Sequence, residues 1–179
     1  MKQNLIKYYS EINNIKEEDV LKEENNLINL IKLNSEMRIF SFTYPIRGAK
    51  NATMLFYNCG IGEVARVFSE DNTVYCYEHN EKFKSFAKYV NEREDTSVTW
   101  LTNNKALKNQ QFNIIVYEGG IDNLKQFQKI CDLVPPTGWL LTSGINDVKE
   151  FGDLLIKNKL MPYFFHITKN EKIYLLKKE

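Results

Sequence analysis

The stretch that most constrains this chain is residues 53–78. A short apolar run, Met54 to Tyr57, meets the turn Asn58-Cys59-Gly60-Ile61-Gly62. Apolar residues at Val64, Ala65, Val67 and Phe68 follow at helical spacing, and a second apolar run, Val74 to Tyr77, ends on an acid, Glu78. Strand, tight turn, helix and strand in that order form a βαβ unit suited to a nucleotide-like ligand. Glycines let the backbone come close to such a ligand, and start a helix whose dipole favours an anion. The carboxylate of Glu78 stands where it can accept hydrogen bonds from ribose hydroxyls.

The same rhythm continues downstream. The pattern predicts a helix over 81–91, with Phe83, Phe86, Ala87 and Val90 on one face, and a strand over 98–101. A polar loop is expected at 102–105 and a strand at 112–117. Glu118-Gly119-Gly120 then leads to a helix over 122–133. Pro135-Pro136-Thr137-Gly138 reads as a turn, followed by a strand over 139–142 and a helix over 147–158. Two closing runs, 161–168 and 172–176, joined by Lys169-Asn170-Glu171, read as a hairpin. Alternating strands and helices imply an α/β fold, a mostly parallel sheet with helices on both faces, and the hairpin adds an antiparallel last strand. Ahead of this lie a helix expected over 3–12, a second over 16–33 carrying an apolar stripe, and an extra strand at 37–42. Residues 1–48 thus form an N-terminal helical extension to a ligand-binding domain over 49–179. Its stripe can pack on the main domain, form a lid, or pair two copies as a homodimer.

At 179 residues the chain can bury a core in a single domain, and its net charge of +1 does not indicate a broad nucleic-acid footprint. Its apolar runs are too short for a membrane span, and residues 1–9 lack the apolar block of a secretory signal. Cys59, Cys76 and Cys131 all sit in apolar contexts, which fits reduced, packed thiols and a cytoplasmic location. No His/Asp set has metal-ligand spacing, so no metal site is expected.

In order and spacing these elements resemble the class I S-adenosylmethionine-dependent methyltransferases, over roughly 49–177. Asn58-Cys59-Gly60-Ile61-Gly62 is similar to that family's glycine loop, and Glu78 to its ribose-binding acid. Phe112-Asn113-Ile114-Ile115-Val116 resembles the fourth-strand motif, and Pro135-Pro136-Thr137-Gly138 the turn before the fifth strand. The resemblance implies a Rossmann-like seven-stranded sheet with S-adenosylmethionine as cofactor, held by Asn58, Cys59, Gly60, Gly62, Glu78, His79, Asn103 and Asn104. It implies a substrate-facing role for Glu118 just beyond the fourth strand, where a carboxylate could take a proton or orient an amine. The acceptor is left open, a small molecule among the choices. A thinner similarity, over 112–166, is to the cobalt-precorrin methyltransferases. The chain departs from the family at Phe56, where an acid is usual, at Asn58, where a glycine is usual, and at Asn103 and Asn104, where an Asp often reaches the adenine.

Two other functions compete. Gly60-Ile61-Gly62-Glu63-Val64-Ala65 also fits the G-x-G-x-x-A of an NAD-binding oxidoreductase, with Glu78 at a matching distance. Alternatively, Phe56, Asn58 and the 103–104 loop fit a non-catalytic member of the methyltransferase fold that serves as a binding or partner subunit.

Overall fold

The computed structural model describes residues 2–33, 39, 42–108, 110–117, 124–143, 148–167 and 172–179. Seven strands form one sheet: β1 (Thr53–Tyr57), β2 (Thr73–Tyr77), β3 (Val98–Trp100), β4 (Ile114–Tyr117), β5 (Trp139–Ser143), β6 (Leu160–Ile167) and β7 (Lys172–Lys178). Their spatial order is β3-β2-β1-β4-β5-β7-β6. The first five pair in parallel, and β7 is inserted antiparallel between β5 and β6. The central strands are apolar along their length because both faces are covered. All four residues of β4 are buried, as are Met54 to Tyr57 of β1.

Side-chain alternation divides the core into two layers. Leu55, Tyr57, Ile115, Tyr117 and Leu140 face one way. They pack with Leu107 of α6 (Asn104–Lys108), Phe127 and Ile130 of α7 (Leu124–Leu133), and Phe151 and Leu155 of α8 (Val148–Lys157). Met54, Phe56, Val116 and Leu141 face the other way, onto Val64, Ala65 and Phe68 of α4 (Glu63–Phe68) and onto Ile39, Phe42 and Ile46. A third cluster joins α1 (Lys2–Asn13), α2 (Glu17–Val20) and α3 (Asn26–Leu33) to α5 (Glu81–Glu94). Leu5, Ile6, Tyr9, Val20, Ile28 and Ile31 are buried there with Phe86, Ala87 and Val90. Val20, Ile28 and Ile31 of the N-terminal stripe thus pack with the chain's own α5, while Leu21 is exposed. Tyr9 and Tyr8 meet Phe86 and Tyr89 edge-on, and Tyr89 donates a hydrogen bond to Glu11.

Three local expectations are corrected. The helix expected over 16–33 is broken in two. The first piece ends at Val20, and Asn25 starts the second as its N-cap, its side-chain oxygen accepting from the Ile28 N–H at 2.9 Å. The strand expected at 37–42 is not formed by its described residues. Ile39, Phe42 and Thr43 are helical, and the Thr43 hydroxyl donates to the Ile39 carbonyl one turn back. The polar loop at 102–105 instead runs into the short helix α6, capped by Asn103. The hairpin joint 169–171, the Glu118-Gly119-Gly120 stretch and residues 37, 38, 40 and 41 of the expected strand lie outside the described residues. Among those residues no helix is long and apolar enough to cross a membrane.

Candidate functional site

The sheet reverses its order at β1, which has β2 on one side and β4 on the other. In open α/β sheets the crevice outside the strand ends at such a point is where ligands bind. Here the carboxyl end of β1 carries the glycine loop. Asn58 (φ 57°), Gly60 (φ 58°) and Gly62 (φ 77°) all lie in the left-handed region. An L side chain is strained there, and Asn tolerates it better than most non-glycine residues. Asn58 stands where the family has a glycine, and its conformation shows that the turn still closes. Its N–H donates to the Tyr77 carbonyl at 2.8 Å, and the Gly62 N–H to the Cys59 carbonyl at 2.9 Å.

Glu78 holds this loop to the end of β2. One carboxylate oxygen accepts the Gly60 N–H and the other accepts the Asn80 N–H, both at 2.8 Å. Gly60 and Gly62 thus engage their N–H groups within the chain. Each Glu78 oxygen has a further lone-pair site, so the carboxylate keeps capacity for hydroxyl donors. His79, exposed, lies edge-on to Tyr57 and Tyr77, at ring separations of 5.6 Å and 4.9 Å. Asn80 caps α5 by accepting from the Lys82 and Phe83 N–H groups.

A second clamp grips the loop from α4. Arg66 donates from Nη1 to the Ile61 carbonyl at 2.9 Å and pairs through Nη2 with Glu63 at 2.7 Å. Its Nε lies 3.3 Å from Glu94 of α5. Arg66 and Glu63 are both buried. Burial pushes the Glu63 carboxyl up to about 7, the opposing pull of Arg66 being the smaller influence. Two further contacts shape the loop's outer surface. A Cβ on Gly62 would stand 3.0 Å from Cζ2 of Trp100, and one on Gly60 would meet Leu30 of α3 at 3.4 Å. Ile61 itself is buried among the N-terminal helices.

Beside the loop, the last residues of β2, β1 and β4 are all tyrosines in register, Tyr77, Tyr57 and Tyr117. Their rings contact one another in sequence, Tyr57 lying 4.9 Å from Tyr77 and 6.0 Å from Tyr117. Burial and the adjacent Tyr77 push the Tyr57 phenol up, against a hydrogen bond with Gln126, so it stays neutral at ordinary pH. From Tyr57 and His79 a groove of about 860 Å³ opens between α6 and α7, passing Leu107, Gln126 and Lys129.

Of the residues expected at the site, Asn58, Cys59, Gly60, Gly62, Glu78 and His79 come together at this edge. The side chain of Asn103 is occupied differently: it accepts from the Ala106 N–H at 2.9 Å as the cap of α6. The side chain of Asn104 and the whole of Glu118 lie outside the described residues. Phe56, at the family's acid position, is fully buried and packs against Phe68 at 5.9 Å, so that position belongs to the core layer. The pattern of the loop had not pointed to Arg66 or Trp100. An i,i+3 Glu–Arg pair reads as a solvated helix pair, and nothing local marks it as buried. The tyrosine row was visible, since each is the final apolar residue of its run, but its alignment needs the register.

No family model matches the chain, and no curated protein matches it in sequence. Solved structures do. Magnesium protoporphyrin IX methyltransferase from Synechocystis, with bound S-adenosylmethionine, matches over 100% of this chain and 98% of its own, at 11% identity and a TM-score of 0.70. A ribosomal protein L11 methylase from Lactobacillus delbrueckii matches over 82% of this chain and 81% of its own, at 13% identity and a TM-score of 0.69. Precorrin-6y C5,15-methyltransferase from Geobacter metallireducens matches over 82% and 90%, at 10% identity and a TM-score of 0.67. The fold is that of the class I S-adenosylmethionine-dependent methyltransferases. At these identities the likeness concerns the fold, and the acceptors for which the three neighbours are named, a porphyrin, a protein and a precorrin, differ from one another.

Proposed function

We propose that the chain binds S-adenosylmethionine at the carboxyl end of β1 and β2 and transfers its methyl group to an acceptor. The observation that carries this reading is the left-handed loop 58–62 fastened to Glu78 beside the sheet's switch point. The residues fit such a cofactor. Glu78 keeps acceptor sites for two ribose hydroxyls, and His79 with Tyr57, their rings edge-on, offers an aromatic wall at the mouth of the groove. Asn58, whose side-chain oxygen is buried without a partner, has an acceptor to give. The bound cofactor supplies a methyl group already activated by its sulfonium, so the protein's part is to orient it, align the nucleophile and exclude water. The N-terminal helices, packed on Ile61, close one side of the loop against solvent. Glu118 remains our proposed acid–base group, in a stretch that follows directly on β4.

A second reading has its own support. Phe56 removes a carboxylate from the site and commits that position to the core, which fits a member of the fold that serves as a partner subunit without catalysis. Titration calorimetry with S-adenosylmethionine, S-adenosylhomocysteine and NAD separates the possibilities. Binding of the first two at micromolar to submillimolar concentrations is expected. Silence to all three at about 1 mM overturns the cofactor reading in favour of the partner subunit, and binding of NAD alone overturns both.

A further inference from the structure

The glycine loop rests on a buried guanidinium. Arg66 engages all of its side-chain nitrogens. Nη1 donates to the Ile61 carbonyl at 2.9 Å, Nη2 pairs with Glu63 at 2.7 Å, and Nε lies 3.3 Å from Glu94. Nη1 also lies 3.5 Å from the side-chain oxygen of Asn91. The side chains of Arg66 and Glu63 are only 6% and 7% exposed. Buried ion pairs add little net stability, because lost hydration offsets the attraction, and one attested use is to specify a single conformation. The element beside this cluster with a conformation to specify is the loop.

The link runs through one peptide plane. A peptide unit is planar, so its carbonyl and its N–H turn together. The Ile61 carbonyl and the Gly62 N–H share such a unit. Arg66 holds the carbonyl, and the N–H closes the turn onto the Cys59 carbonyl at 2.9 Å. Gly62 stands at φ 77°, and a residue without Cβ takes either sign of φ at similar cost. The residue type therefore leaves this plane free to flip, and the guanidinium supplies a restraint.

Resting on the cofactor reading above, we infer that Arg66 is the positioning residue of the loop. By fixing the 61–62 peptide from beneath, it keeps residues 58–62 in the shape that receives the ligand, for as long as the guanidinium is shared between the Ile61 carbonyl and its two acids.

Charge limits that sharing. Glu63 and Glu94 are two carboxylates to one guanidinium, so the cluster is neutral only while it holds a proton. Among the described residues, Arg66 and Glu94 are the charged groups that act on Glu63. Asn91 of α5 is uncharged, and Arg93 of that helix turns away to Tyr89 and Glu11. Trp100 of β3 and Leu30 of α3 border the loop without charge. Burial keeps the proton on Glu63, whose carboxyl is pushed up to about 7. Neutral Glu63 leaves Nη1 to the carbonyl. Once ionised, it can take both Nη groups, and a charged acceptor displaces a neutral carbonyl. The loop is thus held below about pH 7 and loosens above it.

Two readouts on the full chain test this. Hydrogen exchange followed by nuclear magnetic resonance gives the protection of the Gly62 amide, and calorimetry gives the affinity for S-adenosylhomocysteine. Between about pH 6 and 8.5, both should fall about threefold or more in the wild type relative to Glu63→Gln, which keeps the neutral form. Arg66→Lys, a point charge that cannot serve the carbonyl and both acids together, should lose about tenfold in each readout at low pH, with native far-UV circular dichroism. A role confined to stability would lower the melting temperature and leave both readouts as in the wild type. A constant ratio between wild type and Glu63→Gln across this range overturns the inference. So does a folded Arg66→Lys protein with wild-type protection at Gly62. If Arg66→Lys does not fold, the Glu63→Gln comparison decides alone. If the wild type does not bind S-adenosylhomocysteine at all, the cofactor reading fails, and protection at Gly62 still tests the hold of Arg66 on the loop.

Discussion

Truncating Glu78 to Ala offers the sharpest test of how the loop is held. In the structure its two oxygens each accept one backbone N–H, from Gly60 and Asn80, at 2.8 Å, and the side chain is buried. Hydrogen bonds to a charged group contribute about 1.5–3 kcal/mol each, and a buried donor left without a partner costs a similar amount. Partial access of water to the part-buried Gly60 N–H lowers that sum. A loss of about 3 kcal/mol is therefore expected for Glu78→Ala. Glu78→Gln keeps one acceptor oxygen, loses the charge and sets an amide N–H₂ against a donor, so about 2 kcal/mol is expected. Urea denaturation followed by far-UV circular dichroism measures both, with an unchanged dependence on denaturant showing that the unfolded states are comparable. Amide exchange at Gly60 and Asn80 should accelerate in both variants. If Glu78→Ala costs less than about 1 kcal/mol, the carboxylate does not fasten the loop, and the pairing of Glu78 with the glycine turn has no energetic standing.

Glu63 should give stability an unusual pH dependence. Its carboxyl titrates near 7 in the fold against about 4.5 in the unfolded chain, so the folded state holds the proton longer. Relative to Glu63→Gln, stability should fall by about 3 kcal/mol as pH rises from about 4.5 to 7 and level off above, as thermal melts across that range would show; a flat difference between the two proteins refutes it. Gly62→Ala should cost about 2 kcal/mol, combining left-handed strain with the 3.0 Å approach to Trp100. Gly60→Ala should cost about 1 kcal/mol, because Leu30 at 3.4 Å can yield, so an inverted order in urea midpoints would contradict the loop geometry. Asn103→Ala should cost about 1 kcal/mol through loss of the α6 cap and leave S-adenosylhomocysteine affinity unchanged in calorimetry; a large loss of affinity would return this residue to the adenine.

The βαβ frame was readable because its signals are local. Met54 to Tyr57 and Val74 to Tyr77 are continuous apolar runs closed by glycine and by Glu78, and they became β1 and β2 with bounds nearly as expected. The hairpin likewise announced the antiparallel seventh strand. What failed was decided by groups distant in sequence or by competing local chemistry. The apolar stripe over 16–33 keeps its helical spacing across the break, so periodicity could not show that Asn25 restarts the helix. Ile39 and Phe42 belong with Ile46 on a helical spacing against the α4 face, whereas the short run around them alternates like a strand. At the site, nothing local to Glu63 and Arg66, an i,i+3 pair on a short helix, marks them as buried. Only the arrival of α5, with Glu94 and Asn91, makes them a buried network beneath the loop. Asn103 was assigned to the cofactor through the resemblance, in which an Asp often stands there; the short helix that follows gives its side-chain oxygen a nearer donor.

The contact between Trp100 and Gly62 has a practical consequence. The chain has two tryptophans, and they stand in unlike places: Trp100 touches the glycine loop, whereas Trp139 lies on β5 beneath Lys177 and beside Tyr163. A Trp139→Phe protein would emit from one indole, set against the backbone that a ligand must approach. Its emission then becomes an intrinsic optical gauge of the loop, able to register occupancy by a colourless, unlabelled compound and to screen acceptors without knowing the product in advance.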